Sequence, residues 1–202
     1  MKIAVMTQPT FFVEEDKILT SLFDEGLDNL HLYKPGASPM YSERLLTLLP
    51  NDCYNRITVH DNFYLKEEYG LHGIHIDDAT ANPPAGYKGH ISRTCNKLDL
   101  LKETKKHSDY VFLKYIFDSQ TEPDCKASFT MADLQEAADR GLIDKHVYAL
   151  GGMNINNISI AKELGFGGIV FSGDLWNRFN IHQELDYGAL IEHFVKLRKA
   201  AG

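Results

Sequence analysis

Short apolar, β-prone segments alternate about eight times with amphipathic helical segments along the 202 residues, and this alternation restricts the fold more than any other feature. The first strand is expected at Lys2–Thr7 and the last at Ile169–Phe171. Strands that alternate with helices in this way form a parallel sheet. Eight repeats favour an α/β fold, a closed (β/α)8 TIM barrel, that occupies residues 1–202 as a single domain. An open doubly wound sheet of five or six strands is the alternative.

Small residues follow two neighbouring strands in the last third of the chain. The segments His146–Leu150 and Ile169–Phe171 are separated by a helix for which Asn154 is the expected N-cap. Strand, helix and strand in about 30 residues form a parallel βαβ unit, and α/β proteins bind ligands at the C-terminal ends of such strands. Small residues there let a phosphate approach the backbone. The sequence therefore predicts a phosphate cup, although the glycines also suit tight turns without any ligand. The phosphate cup comprises Gly151, Gly152, Ser172 and Gly173.

Four successive strands, the second to the fifth, each have one apolar and one polar face. In the fourth strand, Ile74 and Ile76 alternate with His75 and Asp77. Because side chains alternate along a strand, we expect the apolar faces to meet the helices and the polar faces to converge inside the barrel, near its C-terminal mouth. This arrangement favours a ligand pocket; the alternative is a set of interior histidines that do no chemistry. The polar faces carry His31, Tyr33, Thr58, His60, His75, Asp77, His90 and Ser92.

Charge and composition exclude several classes of partner. The formal net charge is −7, which argues against nucleic acid or an anionic membrane as the main partner. The three cysteines show no C-x-x-C spacing, so neither a disulfide framework nor a zinc site of that type is expected. No apolar run approaches membrane-spanning length, and Met1–Met6 is too short for a signal-peptide core. A cytoplasmic location is expected.

Several motifs, in a specific order and spacing, cover nearly the whole chain. They are LHLYKPGAS at Leu30–Ser38, VHDN at Val59–Asn62, GLHGIHI at Gly70–Ile76, GHIS at Gly89–Ser92, DYVFLKYIF at Asp109–Phe117, DCK at Asp124–Lys126, ALGGMN at Ala149–Asn154 and GGIVFSG at Gly167–Gly173. In these motifs the sequence resembles the thiamine phosphate synthase family, which includes the related thiazole tautomerases.

The resemblance implies a transferase of thiamine biosynthesis. The family reaction couples hydroxymethylpyrimidine diphosphate with a thiazole phosphate, uses Mg²⁺ and releases pyrophosphate. By position in the motifs, it implies metal ligation by Asp61; Asp77, or its neighbour Asp78, is the expected substitute for the second carboxylate of the family. The resemblance also implies catalytic roles for Lys34, Ser92 and Lys126. The resemblance, the polar strand faces and the phosphate cup together predict a set of substrate-binding residues. They are His31, Tyr33, His60, His75, Ser119, Gly151, Gly152, Ser172 and Gly173.

The sequence departs from the family pattern in the half that handles the diphosphate and the metal. Tyr33 stands where the family has an arginine, which removes a bidentate phosphate clamp. Thr80 stands where the family has a second carboxylate, and Lys34 is displaced by one position. The phosphate cup is retained, whereas the catalytic half is eroded.

Other functions therefore stay open. A thiazole phosphate tautomerase would use a proton carrier such as His31, His60, His75 or Tyr115. A non-catalytic thiazole or thiamine phosphate-binding protein would need only the cup. A metal hydrolase on His60, His72, His75 and Asp77 is a further alternative without a diagnostic ligand spacing. The expected partners are a small phosphorylated heterocyclic substrate and, as a candidate, a second copy of the chain in a homodimer.

Overall fold

The computed structural model describes residues 1–180 and 186–202. In this part of the chain, eight parallel strands close into a barrel in sequence order, with β1 paired to β8. This confirms the predicted (β/α)8 barrel and excludes the open sheet. The strands are β1 (Lys2–Met6), β2 (Asn29–Leu32), β3 (Ile57–Val59), β4 (Gly73–Ile76), β5 (His90–Cys95), β6 (Tyr110–Lys114), β7 (Val147–Leu150) and β8 (Gly168–Phe171).

Helices follow the strands in the order that the alternation predicts. A 3₁₀ helix at Asn51–Arg56, between α2 and β3, and the short α7 were not predicted. The helices are α1 (Glu15–Asp24), α2 (Pro39–Leu48), α3 (Tyr64–Tyr69), α4 (Leu98–Lys106), α5 (Met131–Asp139), α6 (Ile158–Glu163), α7 (Gly173–Trp176) and α8 (Gly188–Ala201). In the described residues, none of the helices is long and apolar enough to cross a membrane.

Two apolar clusters lie on opposite sides of the barrel wall. The larger fills the space between the strands and the surrounding helices, and includes Ile57, Ile74 and Leu113. The smaller lies inside the barrel, where Phe112 packs with Ala4 and Val170. The rest of the interior is polar, because β2 to β5 turn their histidines, serine and threonines inwards. The barrel interior is thus apolar on one side and hydrogen-bonding on the other.

Two local predictions are wrong. Asn154 does not cap α6; its side chain accepts from the backbone N–H of Asn156 in a turn, and the helix begins one turn later at Ile158. The sequence after Ser38-Pro39 predicts a helix with Tyr41, Leu45, Leu48 and Leu49 on its apolar face; Leu45 and Leu49 are buried, whereas Tyr41 and Leu48 are exposed. Before α6 several asparagines could act as the N-cap, and in α2 several leucines could face the core. The packing of the chain decides which residue takes each position.

Candidate functional site

A cleft of about 1130 Å³ lies at the C-terminal ends of the strands, and we call it the mouth cleft. Its walls come from the loops after β1, β6, β7 and β8 and from the ends of β2, β4 and β5. This is where (β/α)8 proteins bind their ligands. Seven of the predicted site residues line the mouth cleft: Tyr33, Asp77, Ser119, Gly151, Gly152, Ser172 and Gly173.

The phosphate cup lies on one wall of the mouth cleft. Gly151 and Gly152 have φ angles of +105° and +63°, a region that favours glycine. A Cβ on Gly151 would lie 2.9 Å from the Tyr115 ring, and one on Gly152 would collide with the carbonyl oxygen of Asp118. The two glycines are therefore also needed for the loop after β6 to pack against the cup, which agrees with the tight-turn interpretation as well as with phosphate binding.

Gln120 and Thr121 bring this loop over the cup. The Gln120 amide donates to the carbonyl oxygen of Gly152 at 3.3 Å, and a Cβ on Gly173 would lie 2.8 Å from the Thr121 methyl group. Both residues line the mouth cleft. An anion in the cup would therefore meet backbone, hydroxyl and amide groups from two sides.

Lys34 does not face the mouth cleft. Its ammonium donates to Oε1 of Glu15 at 2.6 Å and to the carbonyl oxygen of Thr10 at 2.9 Å, and the side chain is 2% exposed. The cation the sequence places at the site is thus held by a carboxylate of α1. Burial lowers the pKa of Lys34, against the attraction of Glu15.

Within residues 1–180 and 186–202, Lys114 is the lysine or arginine that lines the mouth cleft. It is the last residue of β6, it lines the cleft, and its ammonium lies 4.4 Å from the centroid of the Tyr115 ring. Strand alternation could have found it, because Tyr110 and Phe112 of the same strand also face the barrel interior.

Beneath the mouth cleft lie three buried histidines whose side chains form one network. Nδ1 of His31 lies 2.9 Å from Nε2 of His60, and Nδ1 of His60 lies 3.1 Å from Oδ2 of Asp77. Nε2 of His31 lies 2.9 Å from the hydroxyl of Tyr110. Burial and repulsion between the imidazoles hold the pKa values of His31 and His75 well below their ordinary value. These rings are therefore neutral at physiological pH.

A second set of hydrogen bonds leads to the same carboxylate. Nδ1 of His75 lies 2.8 Å from Oγ of Ser92, and its Nε2 lies 2.9 Å from Oγ1 of Thr94. The Thr94 hydroxyl donates to Oδ1 of Asp77 at 3.4 Å. Ser92 is buried, so its contact is with His75 and not with the mouth cleft.

The histidines as arranged do not make a metal site. Among the described residues, His31, His60 and His75 are the group whose nitrogen atoms lie within 4.8 Å of one another. However, the rings of His60 and His75 stack at 4.2 Å between centroids and 23° between planes. The lone pair of an imidazole nitrogen lies in the plane of its ring. A metal ion in the plane of the His60 ring would therefore lie outside the plane of the His75 ring. His72 stacks on His90 at the opposite end of the barrel, which separates the four residues of the metal hydrolase alternative.

The carboxylates also fit Mg²⁺ poorly. Asp61 is exposed and does not line the mouth cleft, where the carboxylates among the described residues are Asp77 and Glu122. Both oxygens of Asp77 accept hydrogen bonds from the barrel interior. Asp78 accepts from the backbone N–H groups of Thr80 and Ala81 instead. The protein alone therefore offers Mg²⁺ few oxygen ligands, and an ion here would depend on substrate phosphates and water for the rest.

The remaining predicted residues lie at the rim. Lys126 is exposed and pairs with Asp118 at 3.1 Å, whereas Ser119 lines the mouth cleft and its hydroxyl accepts from the N–H of Glu122. Tyr115, a candidate proton carrier, also lines the cleft, and burial raises the pKa of its phenol above the ordinary value. His31 and His75 are buried below the cleft, so they reach a ligand only through Asp77 and Thr94.

A closed parallel barrel with a polar cleft at its C-terminal strand ends defines a small-molecule-binding protein of the (β/α)8 class. The family model described as thiamine monophosphate synthase matches residues 50–175, and the chain belongs to this family. A thiamine phosphate pyrophosphorylase from Bacteroides thetaiotaomicron is 48% identical, with a TM-score of 0.91 over 100% of this chain and 98% of that chain.

More distant structures share the fold. A thiamine phosphate pyrophosphorylase from Pyrococcus furiosus is 18% identical, with a TM-score of 0.75 over 99% of this chain and 95% of that chain. A 3-hexulose-6-phosphate synthase is 14% identical, with a TM-score of 0.66 over 100% of both chains. No curated protein matches the sequence.

Proposed function

We propose that the chain, acting as one domain, is a transferase that couples hydroxymethylpyrimidine diphosphate with a thiazole phosphate. The observation that carries the proposal is that family membership coincides with a cleft that is lined by the phosphate cup, Lys114 and Asp77. A volume of about 1130 Å³ exceeds what one small ligand needs. Two substrates can therefore lie side by side.

The phosphate cup suits the thiazole phosphate. Its backbone at Gly151 and Gly152 is open to the cleft, and Gln120 and Thr121 stand opposite. Neutral donors of this kind bind a phosphate without a formal counter-charge. The thiazole ring would then extend towards the centre of the mouth cleft, where its nitrogen can meet the second substrate.

Lys114 suits the departing diphosphate. Loss of pyrophosphate breaks a carbon–oxygen bond, leaves a pyrimidine cation and places the electron pair on the leaving oxygen. A cation fixed next to that oxygen stabilises the charge as it develops. Lys114 projects into the cleft beside Tyr115, in the half from which Lys34 and the family arginine are missing. Asp77 carries the opposite charge, which favours the pyrimidine cation.

Mg²⁺ is the cofactor that the family implies, but among the described residues the mouth cleft offers it only the carboxylates of Asp77 and Glu122, so the ion would depend on substrate phosphates and water. We therefore derive no step through a protein-bound ion. Lys126 and Ser119, at the rim, stay predicted contacts of the diphosphate. The cytoplasmic location and the homodimer also stay predictions.

The test is direct synthesis. The purified protein is incubated with both precursors, with Mg²⁺ and separately with a chelator, and thiamine phosphate is measured chromatographically. We expect product that depends on both precursors. No product at saturating precursors and Mg²⁺ would contradict the proposal. Hydrogen exchange into thiazole phosphate without the pyrimidine would then indicate the tautomerase, and calorimetric binding without turnover would indicate the binding protein.

A further inference from the structure

Two chains of hydrogen bonds cross the barrel interior and end on one carboxylate. The first runs from Tyr110 through His31 and His60 to Oδ2 of Asp77, with steps of 2.9, 2.9 and 3.1 Å. The second runs from Ser92 through His75 and Thr94 to Oδ1, with steps of 2.8, 2.9 and 3.4 Å. We call these two chains the interior relay.

One assignment of protons satisfies every bond of the first chain. An ionised Asp77 only accepts, so His60 donates from Nδ1, and when its ring carries a single proton its Nε2 accepts. His31 then donates from Nδ1 and accepts at Nε2, where the Tyr110 hydroxyl donates. By the same reasoning, the Ser92 hydroxyl donates to Nδ1 of His75, and Nε2 of His75 donates to the Thr94 hydroxyl. The Thr94 hydroxyl in turn donates to Asp77. All donors of the interior relay therefore point towards the carboxylate.

The interior relay fixes both the position and the charge of Asp77. His60 donates to one of its oxygens and Thr94 to the other, both from the barrel side, and hydrogen bonds to a carboxylate favour its ionised form. Its side chain is nevertheless 54% exposed and lines the mouth cleft. Each carboxylate oxygen can accept more than one hydrogen bond, so each has a lone pair available for a ligand on the cleft side.

The surroundings indicate which ligand this carboxylate suits. Tyr33 stacks edge-on to His60 at 5.2 Å beside it, and aromatic side chains line the mouth cleft: Phe11, Phe12, Tyr33, Tyr115, Trp176 and Phe179. A flat ring fits such walls. A fixed carboxylate within them selects a ring with N–H donors, which an amino-substituted nitrogen heterocycle presents side by side when its ring nitrogen is protonated.

We propose that Asp77, positioned by the interior relay, recognises an aminopyrimidine by accepting hydrogen bonds from its amino group and its protonated ring nitrogen. This ligand class rests on the proposed function. The proton on the ring nitrogen comes from solvent water, Asp77 stays ionised, and no covalent bond changes. Asp77 is the contact residue, whereas His60, His31 and Tyr110 are positioning residues that act through it.

The probe is the free aminopyrimidine alcohol of the substrate, without phosphate, whose ultraviolet spectrum changes when its ring is protonated. Its spectrum is titrated with pH when free and when bound to the wild-type protein, and to Asp77→Asn and Tyr110→Phe. Asp78→Asn is the matched control, because the neighbouring carboxylate faces the loop at Thr80. Nitrogen-15 spectra of the histidines report their tautomers in the wild type and in Tyr110→Phe.

We expect the bound ring to hold its proton to a pH higher by about 1 unit or more in the wild type and in Asp78→Asn. Asp77→Asn should abolish this shift. Tyr110→Phe, which keeps the ring and loses one hydroxyl, should reduce it and change the His31 tautomer.

A bound ring with an unshifted pKa, or an equal shift in the wild type and Asp77→Asn, would overturn the proposal, as would failure of the probe to bind. So would Tyr110→Phe with the wild-type tautomers and the wild-type shift. Synthesis of thiamine phosphate alongside any of these results would leave the transferase proposal intact, whereas a shifted ring without synthesis would support the recognition alone.

Discussion

The ammonium of Lys34 lies 2.6 Å from Oε1 of Glu15, and each side chain is 2% exposed. Lys34 also lies over the ring of Phe11, 4.4 Å from its centroid, and bonds the carbonyl of Thr10. Because Thr10 and Phe11 line the mouth cleft, this buried ion pair holds the loop after β1 against the cleft. Lys34 was expected to contact the substrate, but it instead fixes the position of the loop that forms one wall of the mouth cleft.

Removing one partner of this pair should destabilise the fold. Lys34→Met leaves the Glu15 carboxyl buried without a counter-charge, which costs about 3–5 kcal/mol of unfolding free energy. Urea denaturation at pH 8 measures the loss. Lys126→Met, which removes an exposed ion pair, should cost less than about 1 kcal/mol. Equal losses for the two variants would contradict the role assigned to Lys34.

Glu15 should make stability depend on pH. Its Oε2 has no hydrogen-bond partner among the residues that the structure describes, and burial raises the pKa of the carboxyl from 4.5 to about 7 despite the attraction of Lys34. A carboxyl with a raised folded-state pKa contributes stability that is complete below the unfolded value and is lost as the pH rises. The unfolding free energy of the wild type should therefore fall relative to that of Glu15→Gln between pH 4.5 and 7.

The comparison with Glu15→Gln at each pH is needed because the buried histidines act in the opposite direction. Their folded-state pKa values are depressed, so they destabilise the protein as the pH falls below about 6.5 in both variants. A difference between the two proteins that does not change with pH would refute the prediction for Glu15.

The barrel and the interior histidines could be predicted from the sequence because both follow from simple periods. Strand and helix alternate, and within a strand every second side chain faces inwards, which places His31, His60 and His75 together. Lys34 could not be placed in this way. β2 ends at Leu32, so the alternation no longer applies at Lys34, and its partner Glu15 comes from a helix 19 residues away.

Lys114 and Tyr110 are site residues that the sequence did not predict. The sixth strand has aromatic and apolar residues on both faces, so its inward face carries no clear polar signal. Alternation places Lys114 and Tyr110 on the same face of β6, and the pairing of β6 with β5 and β7 in the closed barrel identifies that face as the inward one. The scarcity of protein ligands for Mg²⁺ likewise follows from the position of Asp61, which is exposed and outside the cleft lining, and sequence spacing does not reveal that position.

Lys114 should determine affinity for the diphosphate. Lys114→Met should weaken binding of inorganic pyrophosphate about 10-fold or more, since a hydrogen bond to a charged group contributes about 1.5–3 kcal/mol. Calorimetry with Lys106→Met as the control measures this, because Lys106 is an exposed lysine that pairs with Glu103 outside the cleft lining. If Lys126→Met weakens binding and Lys114→Met does not, the diphosphate lies at the rim and not beside β6.

The phosphate cup should not tolerate a side chain at Gly152. An alanine at its φ of +63° costs about 1–2 kcal/mol in backbone conformation alone. Its Cβ would also collide with the carbonyl of Asp118 and lie 2.7 Å from Cβ of Phe117, so the loop after β6 must move away from the cup. Gly152→Ala should therefore lower both stability and affinity for thiazole phosphate.

Gly36 offers a matched control for this variant. It has a φ of +71°, and a Cβ there would meet no atom within 4 Å, so Gly36→Ala isolates the conformational cost. Urea denaturation should show a larger loss for Gly152→Ala than for Gly36→Ala, because overpacking adds about 1–3 kcal/mol. Calorimetry should show weaker thiazole phosphate binding for Gly152→Ala alone. Equal stability losses with unchanged affinity would mean that the loop after β6 does not depend on Gly152, and that the cup does not bind the phosphate.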